Sequence, residues 1–315
     1  MSTGTDTDTD IDTDSNRTHP IPPAFQEYDT QQLQQSPAFS HGKHGIADLV
    51  VGREGDNPTR LLSDFTRVPY HLSGTLDSDP VDELITICLQ DPTGAITQGD
   101  RHSLTVTARP DAHAHITDQS ASKVQTMKAS YAHLEATLIA ESGAYLEYLP
   151  KPTILNEDAR CLQTTTVEMA SDATVIVGDV FVPDGLSAHE PFSFDHYQSR
   201  VNARVEENLM CADAVNLRPD QRDPRDLATI GEYTVIGTLY VFAPSADTAT
   251  ITEMIHGRLT DHEVAAGVSP LRNEAGVTVR VLGDRSADVT TAIEAAWNET
   301  RQELLDVGAP FGDRR

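Results

Sequence analysis

Lysine is nearly absent from this 315-residue sequence, in which four of the 23 basic residues are lysines and 49 residues are acidic, for a formal charge of -26. The acid excess is spread along the whole chain, which argues against electrostatic capture of nucleic acid or of an anionic lipid surface. Like-charge repulsion is quenched in molar salt, where the screening length is only about 3 Å. We therefore interpret the charge as adaptation to a salty solvent and not as a binding patch.

Cysteine and long apolar runs are also scarce. The three cysteines, Cys88, Cys161 and Cys211, form no C-x-x-C pair, so the sequence predicts buried, reduced thiols without a zinc knuckle or disulfide framework. No apolar run reaches the roughly 18 residues of a membrane helix. The amino terminus has neither the basic nor the apolar region of a secretion signal. These absences predict a cytoplasmic protein without a membrane partner.

The sequence divides into a tail and one large domain. Residues 1–38 hold a Ser/Thr/Asp repeat and a stretch rich in Pro and Gln, so we expect them to be disordered. Residues 39–315 predict a single β-rich domain, because short apolar runs bounded by turn residues follow one another. The predicted strands are 46–51, 70–76, 84–89, 103–108, 112–117, 131–140, 145–149, 162–169, 174–182, 197–205, 233–242 and 277–283.

The connections between these runs are too short for repeated crossover helices, so the predicted fold is mostly β, with stacked, largely antiparallel sheets. About two helices are expected near the C-terminus. One begins at a cap at Ser286 or Asp288 and places Ile293 and Trp297, the only tryptophan, on one core-facing side. The other is predicted over about 246–258.

Seven short motifs follow one another between residues 46 and 305. They include a loop that ends in Gly-Asp, an Ala-Ser-Lys element after a strand, and a strand that reads Leu-Glu-Tyr-Leu-Pro. The motifs are Pro92–Asp100, Ser120–Lys123, Tyr145–Pro150, Val177–Asp179, Glu190–Phe192, Val235–Leu239 and Val279–Gly283. In this order and spacing they resemble the motifs of the urease accessory protein family UreD, also called UreH.

The sequence departs from the family pattern at several motif positions. Thr93 and Ala95 stand where the family has Pro and Gly, and Gln98 replaces another Gly. Asp184 and Gly185 occupy the place of a Gly-Arg pair. These changes affect the backbone of the first loop and any arginine role in the later one, whereas the expected UreD-like β domain is unaffected.

The resemblance implies a role without catalysis. A UreD-like chain is expected to be a scaffold or chaperone that binds apo-urease, bridges it to UreF, and through UreF to UreG, the GTPase that brings nickel. It would hold no permanent cofactor, with nickel only in transit along an internal acidic conduit. Scattered carboxylates suit such a passage, because Ni²⁺ is released readily only where its ligands are few and hard. The sequence has no Walker A motif, so nucleotide hydrolysis is not expected of this chain.

Five residues fall near positions that the resemblance associates with the conduit, namely Asp100, Asp179, Asp213, Ser122 and Glu190. Structural alternatives stay open for three of them. Asp100 would close a turn through neighbouring backbone amides. Asp179 would form an ion pair inside its apolar strand. Asp213 would be a surface charge on an acid-rich protein.

Three further residues are candidates for partner binding or for structure. Lys123 stands out because lysine is scarce, and it would pair with a buried acid or a carboxylate of a partner. Glu147 alternates with Leu146 and Tyr148, which predicts a solvent-facing position. Arg280 lies in the last motif strand.

Two alternative functions stay open. His113 and His115 are two apart on a predicted strand, so their rings share one side, either as surface histidines or as ligands of a stored metal. Ser120 or Ser122 with Lys123 would match the S-x-x-K element of a serine/lysine hydrolase. That enzyme class places its serine on a helix and needs S-D-N and K-T-G motifs, both of which the sequence lacks.

Overall fold

A computed structural model describes residues 20–31, 42–55, 57–76, 78–184 and 190–310. These residues form two stacked β-sheets, of seven and ten strands, together with three α-helices. The predicted mostly β fold with stacked sheets and two helices near the C-terminus is therefore confirmed.

The strands of the two sheets alternate along much of the chain. The first sheet contains β1 (His44–Gly52), β2 (Arg60–Arg67), β5 (Arg101–Ala108), β8 (Ala132–Ala140), β11 (Arg160–Met169), β13 (His196–Val205) and β14 (Asn208–Leu217). The second sheet contains β3 (His71–Leu76), β4 (Leu84–Gln90), β6 (His113–Asp118), β7 (Ser122–Val124), β9 (Tyr145–Leu149), β10 (Thr153–Leu155), β12 (Thr174–Pro183), β15 (Val235–Phe242), β16 (Ala265–Pro270) and β17 (Gly276–Gly283).

The expected antiparallel pairing holds only toward the sheet edges. In the first sheet β1, β5, β8, β11 and β13 run parallel, and in the second β4, β6, β9 and β12 do so. The prediction was wrong for these central strands because the chain visits the opposite sheet between each strand and its parallel neighbour. Strands that are neighbours in one sheet are then separated by a strand of the other, and they run parallel without any crossover helix.

Four-residue arches make three of the five crossings from the first sheet to the second. Each arch is closed by a hydrogen bond of 3.0 to 3.2 Å from the N–H of its last residue to the carbonyl of its first. Each ends in a buried alanine, which lets the two sheets approach closely. The arches are 109–112, 141–144 and 170–173.

The sequence interpretation missed three of the longer strands, β2, β14 and β16, and all three lie at sheet edges. An edge strand has one neighbour and is often exposed on both faces. In β2, for example, most positions are exposed, so its sequence lacks the alternation of polar and apolar residues that predicts a half-buried strand.

Two of the three described helices cover the outer face of the second sheet. They are α2 (Thr248–Leu259) and α3 (Ser286–Leu305), close to the predicted ranges. Trp297 is buried as predicted, in an apolar cluster between α3 and the sheet. The N-cap of α3 is Arg285, and no side chain caps the helix, so the expected cap at Ser286 or Asp288 was wrong.

The remaining helix, α1 (Pro23–Asp29), lies within the tail that the sequence predicted to be disordered. Its Phe25 is fully buried against Leu162 of β11 and against Tyr131, the residue before β8. For α1 the prediction was wrong, because one aromatic anchor is enough to dock a short helix on a sheet face. The rest of the predicted tail, residues 1–19 and 32–38, lies outside the described residues.

Candidate functional site

A cavity lies between the two sheets at the end opposite the arches. There the chain crosses from the second sheet to the first in three segments, 91–100, 119–131 and 150–159, of which the second contains β7 and the third β10. The cavity volume is about 70 Å³, which is room for several water molecules at roughly 10 to 15 Å³ each. Polar lining side chains come from loops and from the inward faces of both sheets. They include Asp91, His102, Asp118, Ser122, Lys151, Gln163, Thr165, Asp179 and Ser199.

Asp179 lies on β12 and faces the first sheet across this cavity. Its Oδ2 is 3.3 Å from the hydroxyl oxygens of both Tyr197 and Ser199, which donate to it from β13. Burial raises the pKa of the Asp179 carboxyl, and the two hydroxyl donors offset this only in part. Asp179 forms no salt bridge with another described residue. Arg280 is paired with Asp213, and its positive charge acts on Asp179 only from a longer distance. Asp179 is thus a half-buried acid without a fixed counter-ion.

Asp118, a second cavity-lining acid, was missed by the sequence interpretation. It is the last residue of β6, and burial raises the pKa of its carboxyl to about 7, although the backbone N–H of Lys151 donates to it. The signal was available in the sequence. Ala114, Ile116 and Asp118 share one face of the strand by their spacing of two, so the acid lies on the same inward side as two buried apolar residues.

Asp100 lies outside the cavity lining and closes a turn. Its carboxylate accepts hydrogen bonds from the backbone N–H of Lys43 at 2.7 Å and of Thr97 at 2.8 Å, and it is fully buried. The turn depends on glycine. Gly42 has a φ of 75°, and a Cβ there would lie 2.2 Å from the carbonyl oxygen of Gly99. The geometry of Asp100 is that of the turn-closing alternative.

Asp213 also lies outside the cavity lining and links the two sheets. From β14 it accepts a hydrogen bond from Tyr240 Oη at 2.7 Å and forms a salt bridge with Arg280 of β17. The pair is partly buried. The candidate role of Arg280 as a structural residue therefore fits its position, and Asp213 is more than a surface charge.

The structure places the other loop candidates at or beyond the cavity mouth. Ser122 lines the mouth, where its backbone N–H donates to the Pro152 carbonyl at 3.0 Å. Lys123 also lines the mouth, is exposed, and forms no salt bridge with a described residue. Glu190 is exposed and does not line the cavity. Ser122 and Lys123 are successive residues of β7, so the serine lies on a strand and not on the helix that a serine/lysine hydrolase needs.

Glu147 is fully buried, so the predicted solvent-facing position was wrong. Residues of β9 alternate between its two faces as predicted, but α3 covers the face that the sequence assigns to solvent. Burial alone would raise the pKa of the Glu147 carboxyl, yet its hydrogen-bonded and charged neighbours lower that pKa overall. The four groups around the carboxylate are Tyr145 Oη at 2.8 Å, Trp297 Nε1 at 2.9 Å, His115 Nδ1 at 3.0 Å and Arg301 Nη1 at 3.2 Å.

Arg301 joins Glu147 to a second buried acid. Its guanidinium donates to both carboxylate oxygens of Asp79, which precedes β4, at 2.5 and 3.0 Å. Arg301 thus forms ion pairs with Asp79 and Glu147. The side chains of all three residues are inaccessible to solvent. This buried charge cluster fastens α3 to the second sheet.

The two histidines share one side of β6, as predicted, and that side faces the helices. His115 is 4 % exposed and belongs to the Glu147 cluster, so its assignment as a surface histidine was wrong. His113 is half-buried, and burial lowers the pKa of its imidazole. Within the described ranges, no three or more His, Cys, Asp or Glu side chains are grouped so that they would hold a metal ion.

The comparisons with known proteins agree with the motifs. Residues 43–312 match the model of the family described as UreD urease accessory protein. The chain belongs to the UreD family. A urease accessory protein UreD from Haloquadratum walsbyi is 86 % identical over 300 residues, which are 95 % of this chain and 99 % of the relative. The urease accessory protein UreD of Natronomonas pharaonis is 61 % identical to this chain, and the match covers 94 % of this chain and 99 % of the length of that relative.

A third UreD relative, from Haloarcula marismortui, is 43 % identical to this chain, and the match covers 92 % of this chain and 97 % of the length of that relative. The UreD family match spans both sheets with α2 and α3, whereas α1 precedes it. Within this UreD-family chain, no described helix has the length and apolarity to cross a membrane.

Proposed function

We propose that this chain is a non-catalytic scaffold that binds apo-urease together with UreF, and UreG through UreF, during assembly of the nickel centre. Nickel passes through the cavity between the two sheets on its way to urease. The proposal places the chain in the cytoplasm with these partners, without a resident cofactor of its own.

The half-buried carboxylate of Asp179, which lines the cavity and has no salt bridge with a described residue, carries the proposal. A carboxylate without a fixed cation attracts a divalent ion, and the hydroxyl and amide oxygens beside it replace part of the ion's hydration shell. The neighbours Tyr197, Ser199 and Gln163 are all neutral. A few hard oxygen ligands bind nickel weakly enough to release it, which a passage requires and a storage site does not.

The passage is tested by the substitution Asp179→Asn in the complex with urease and the other accessory proteins. The change keeps the side-chain volume and much of its hydrogen bonding but removes the negative charge. Because no described cation is paired with Asp179, folding and assembly are expected to persist while nickel loading falls. Recovery of the complex and the nickel content of urease are measured on the same preparation.

A matched control is Asp48→Asn, which removes the same charge from an exposed position on β1. The control is expected to load urease as the wild type does. A well-assembled Asp179→Asn complex that still delivers a full complement of nickel would contradict passage past Asp179.

The scaffold part of the proposal has its own test. An affinity tag on this chain, expressed with urease subunits and UreF, should recover them together, and UreG should be recovered only when UreF is present. Recovery of the tagged chain alone, with all partners expressed and soluble, would contradict the scaffold role.

A further inference from the structure

The edge formed by β2 and β3 exposes apolar side chains on a strongly acidic protein. In the described part of the chain six large apolar side chains are exposed, and four of them lie on these two strands or in the turn between them. The four are Leu62, Phe65, Val68 and Leu76, each at least 51 % exposed. Single apolar side chains are normal on a protein surface, whereas several in one short segment indicate a binding site.

The same segment lacks the acid excess of the rest of the chain. Residues 57–76 contain two arginines, Arg60 and Arg67, and one acidic residue, Asp64, in a chain that has 49 acidic and 23 basic residues. The two arginines are the first and last residues of β2, are exposed, and form no salt bridge with a described residue. Adaptation to a salty solvent therefore does not explain the composition of this edge.

The main chain of β2 presents hydrogen-bonding groups to the open side of the first sheet. The Val51 carbonyl of β1 accepts a hydrogen bond of 2.9 Å from the N–H that directly follows β5. Because the backbone groups of successive strand residues point to opposite sides, Asp48 of β1 points toward β2, where Phe65 is its partner. The N–H and C=O groups of Asp64 and Thr66 therefore point away from β1. No other described strand pairs with β2, so these groups can bind one more strand.

A β-bulge gathers the exposed apolar side chains of β2 on one face. The register of β2 on β1 shifts at Leu62, which is the extra residue. Leu62 covers the outer side of Gly52, since a Cβ on that glycine would lie 2.6 Å from Leu62 Cδ1. Phe65 lies on the same outer face, beside the exposed Asp48. Without the bulge, two residues three apart would lie on opposite faces.

The inner side of this edge is open as well. A cleft of about 650 Å³ lies between the start of β2 and β3, and its lining includes Leu61, Thr75, Val81 and Ile85. A strand added beside β2 would alternate its side chains between the outer face and this cleft. Both faces of the edge thus have room for the side chains of an added strand.

We propose that β2 pairs with an extended segment of a protein partner, and that this segment is apolar in its middle and acidic at both ends. Its backbone bonds to Asp64 and Thr66, its apolar side chains contact Leu62 and Phe65, and its terminal carboxylates pair with the two arginines of β2. The inference rests on the proposed scaffold role and names a surface that this role uses.

A second copy of the chain fits the edge less well than such a segment. If two β2 strands overlapped fully in antiparallel order, Arg60 of one copy would lie opposite Arg67 of the other. Like charges directly opposite each other destabilise a strand pair. Charge complementarity therefore favours a segment with acidic ends.

The test uses the tagged full-length chain, expressed with the urease subunits alone, with UreF alone, and with both. Phe65→Asp removes the central apolar contact and adds a charge that repels an acidic segment. The matched control is Leu209→Asp, at a leucine that is 50 % exposed on β14, the opposite edge of the first sheet. Phe65→Asp should lower the affinity for one partner at least roughly tenfold, and the control should bind as the wild type does.

Both variants should melt at the wild-type temperature, because both side chains are exposed. Equal recovery of every partner by Phe65→Asp and wild type would overturn the proposal.

Reversal of the two arginines tests the acidic ends of the partner segment. Arg60→Glu with Arg67→Glu should reduce recovery of the same partner, and the reduction should be smaller in 2 M than in 0.5 M KCl because salt screens the repulsion. The control reverses Arg222 and Arg225, which are exposed in the loop after β14. Wild-type recovery by the β2 variant at both salt concentrations would overturn the assignment of an acidic segment.

A third measurement uses the unaltered protein. In hydrogen exchange followed by mass spectrometry, the amides of Asp64 and Thr66 should exchange rapidly in the chain alone and become protected in the complex. Residues 208–217 of β14 should exchange equally in both states. Unchanged exchange of β2 in a complex that contains the partner would overturn strand pairing.

The behaviour of the wild type separates this inference from the scaffold role. A wild-type chain that recovers no partner contradicts the scaffold role, and the inference with it. A wild-type chain that recovers its partners no better than Phe65→Asp contradicts strand pairing alone. Sedimentation of the chain by itself should show a monomer. A concentration-dependent dimer that Phe65→Asp abolishes would assign the edge to a second copy and overturn the proposal.

Discussion

The Glu147 carboxylate is fully buried, accepts hydrogen bonds from three donors and lies beside the His115 imidazole, and its charge is balanced only within its cluster. Arg301 is shared between Glu147 and Asp79, and His115 stacks on Trp297 with ring centroids 5.1 Å apart. Removing one charge from such a cluster leaves the opposite charge buried and uncompensated. The cluster is therefore a structural feature of α3 docking, and it is separate from the cavity on the other face of the sheet.

Glu147→Gln should destabilise the protein by about 3 to 5 kcal/mol. The substitution removes the carboxylate that faces His115 and one of the two carboxylates that pair with the buried Arg301. The control is Glu141→Gln, which breaks an exposed pair with Arg109 and should cost no more than about 1 kcal/mol. Urea denaturation in concentrated KCl measures both free energies of unfolding. Similar losses in the two variants would show that the cluster has no special role.

His196 gives the protein a predictable response to acid. Burial lowers the pKa of its imidazole from 6.5 to about 4, although the ring shares a hydrogen bond of 2.8 Å with Asn216. Between these two values the unfolded chain binds a proton that the folded chain does not, so the free energy of unfolding falls as the pH is lowered from 6.5 toward 4. The other charged groups that act on the ring are Arg218, Asp220 and Asp195.

His196→Gln should therefore lose less stability than the wild type between pH 6.5 and pH 4, because the substituted side chain does not titrate. Urea unfolding at several pH values gives the two slopes, and His71→Gln, at an exposed position, should keep the wild-type slope. Parallel curves for wild type and His196→Gln would contradict this assignment.

At the scale of elements, α1 stands apart because it precedes the family match, which begins at residue 43. Its Phe25 ring lies 4.3 Å from the His196 ring and 5.0 Å from that of Tyr131. Two arginines fasten the segment further: Arg101 pairs with Asp29 at 2.7 Å, and Arg160 lies over the ring of Tyr28. The first sheet thus relies on α1 to cover an apolar part of its outer face.

Deleting residues 1–19 should leave the melting temperature and urease activation unchanged, whereas deleting residues 1–31 should lower the melting temperature and the solubility. Phe25→Ala should behave like the longer deletion and cost about 3 kcal/mol, near the low end for a buried phenylalanine, because a short helix undocks instead of enclosing a cavity. Scanning calorimetry and sedimentation compare the three proteins. Equal stability of the two truncated chains would show that α1 contributes nothing.

At the scale of the whole molecule, a formal charge of -26 opposes folding in dilute buffer. Salt screens that repulsion. The melting temperature should therefore rise between about 0.1 M and 2 M KCl, with most of the increase at the lower concentrations, where the screening length changes most. A melting temperature that falls with added KCl would contradict the interpretation of the charge as adaptation to salt.

Local pattern by itself determined which segments are strands and helices wherever one face is buried. Spacings of two along strands such as β6, and of three to four along α3, come from contact with a core, and they are visible in the sequence. The same patterns, with the motif order, were sufficient to identify the family. Edge strands and α1 escaped because they bury little, so their sequences carry little periodicity.

Only the tertiary structure decided strand direction and the roles of the acids. Crossing between sheets makes neighbouring strands parallel, and the sequence contains no mark of which sheet a strand joins. Asp179 and Glu147 show the consequence. Each is an acid in an apolar strand, but Asp179 faces a cavity between the sheets while Glu147 faces α3 and a buried arginine. Periodicity tells which residues share a face, and the element packed on that face decides whether a carboxylate meets water, a metal ion or a permanent partner.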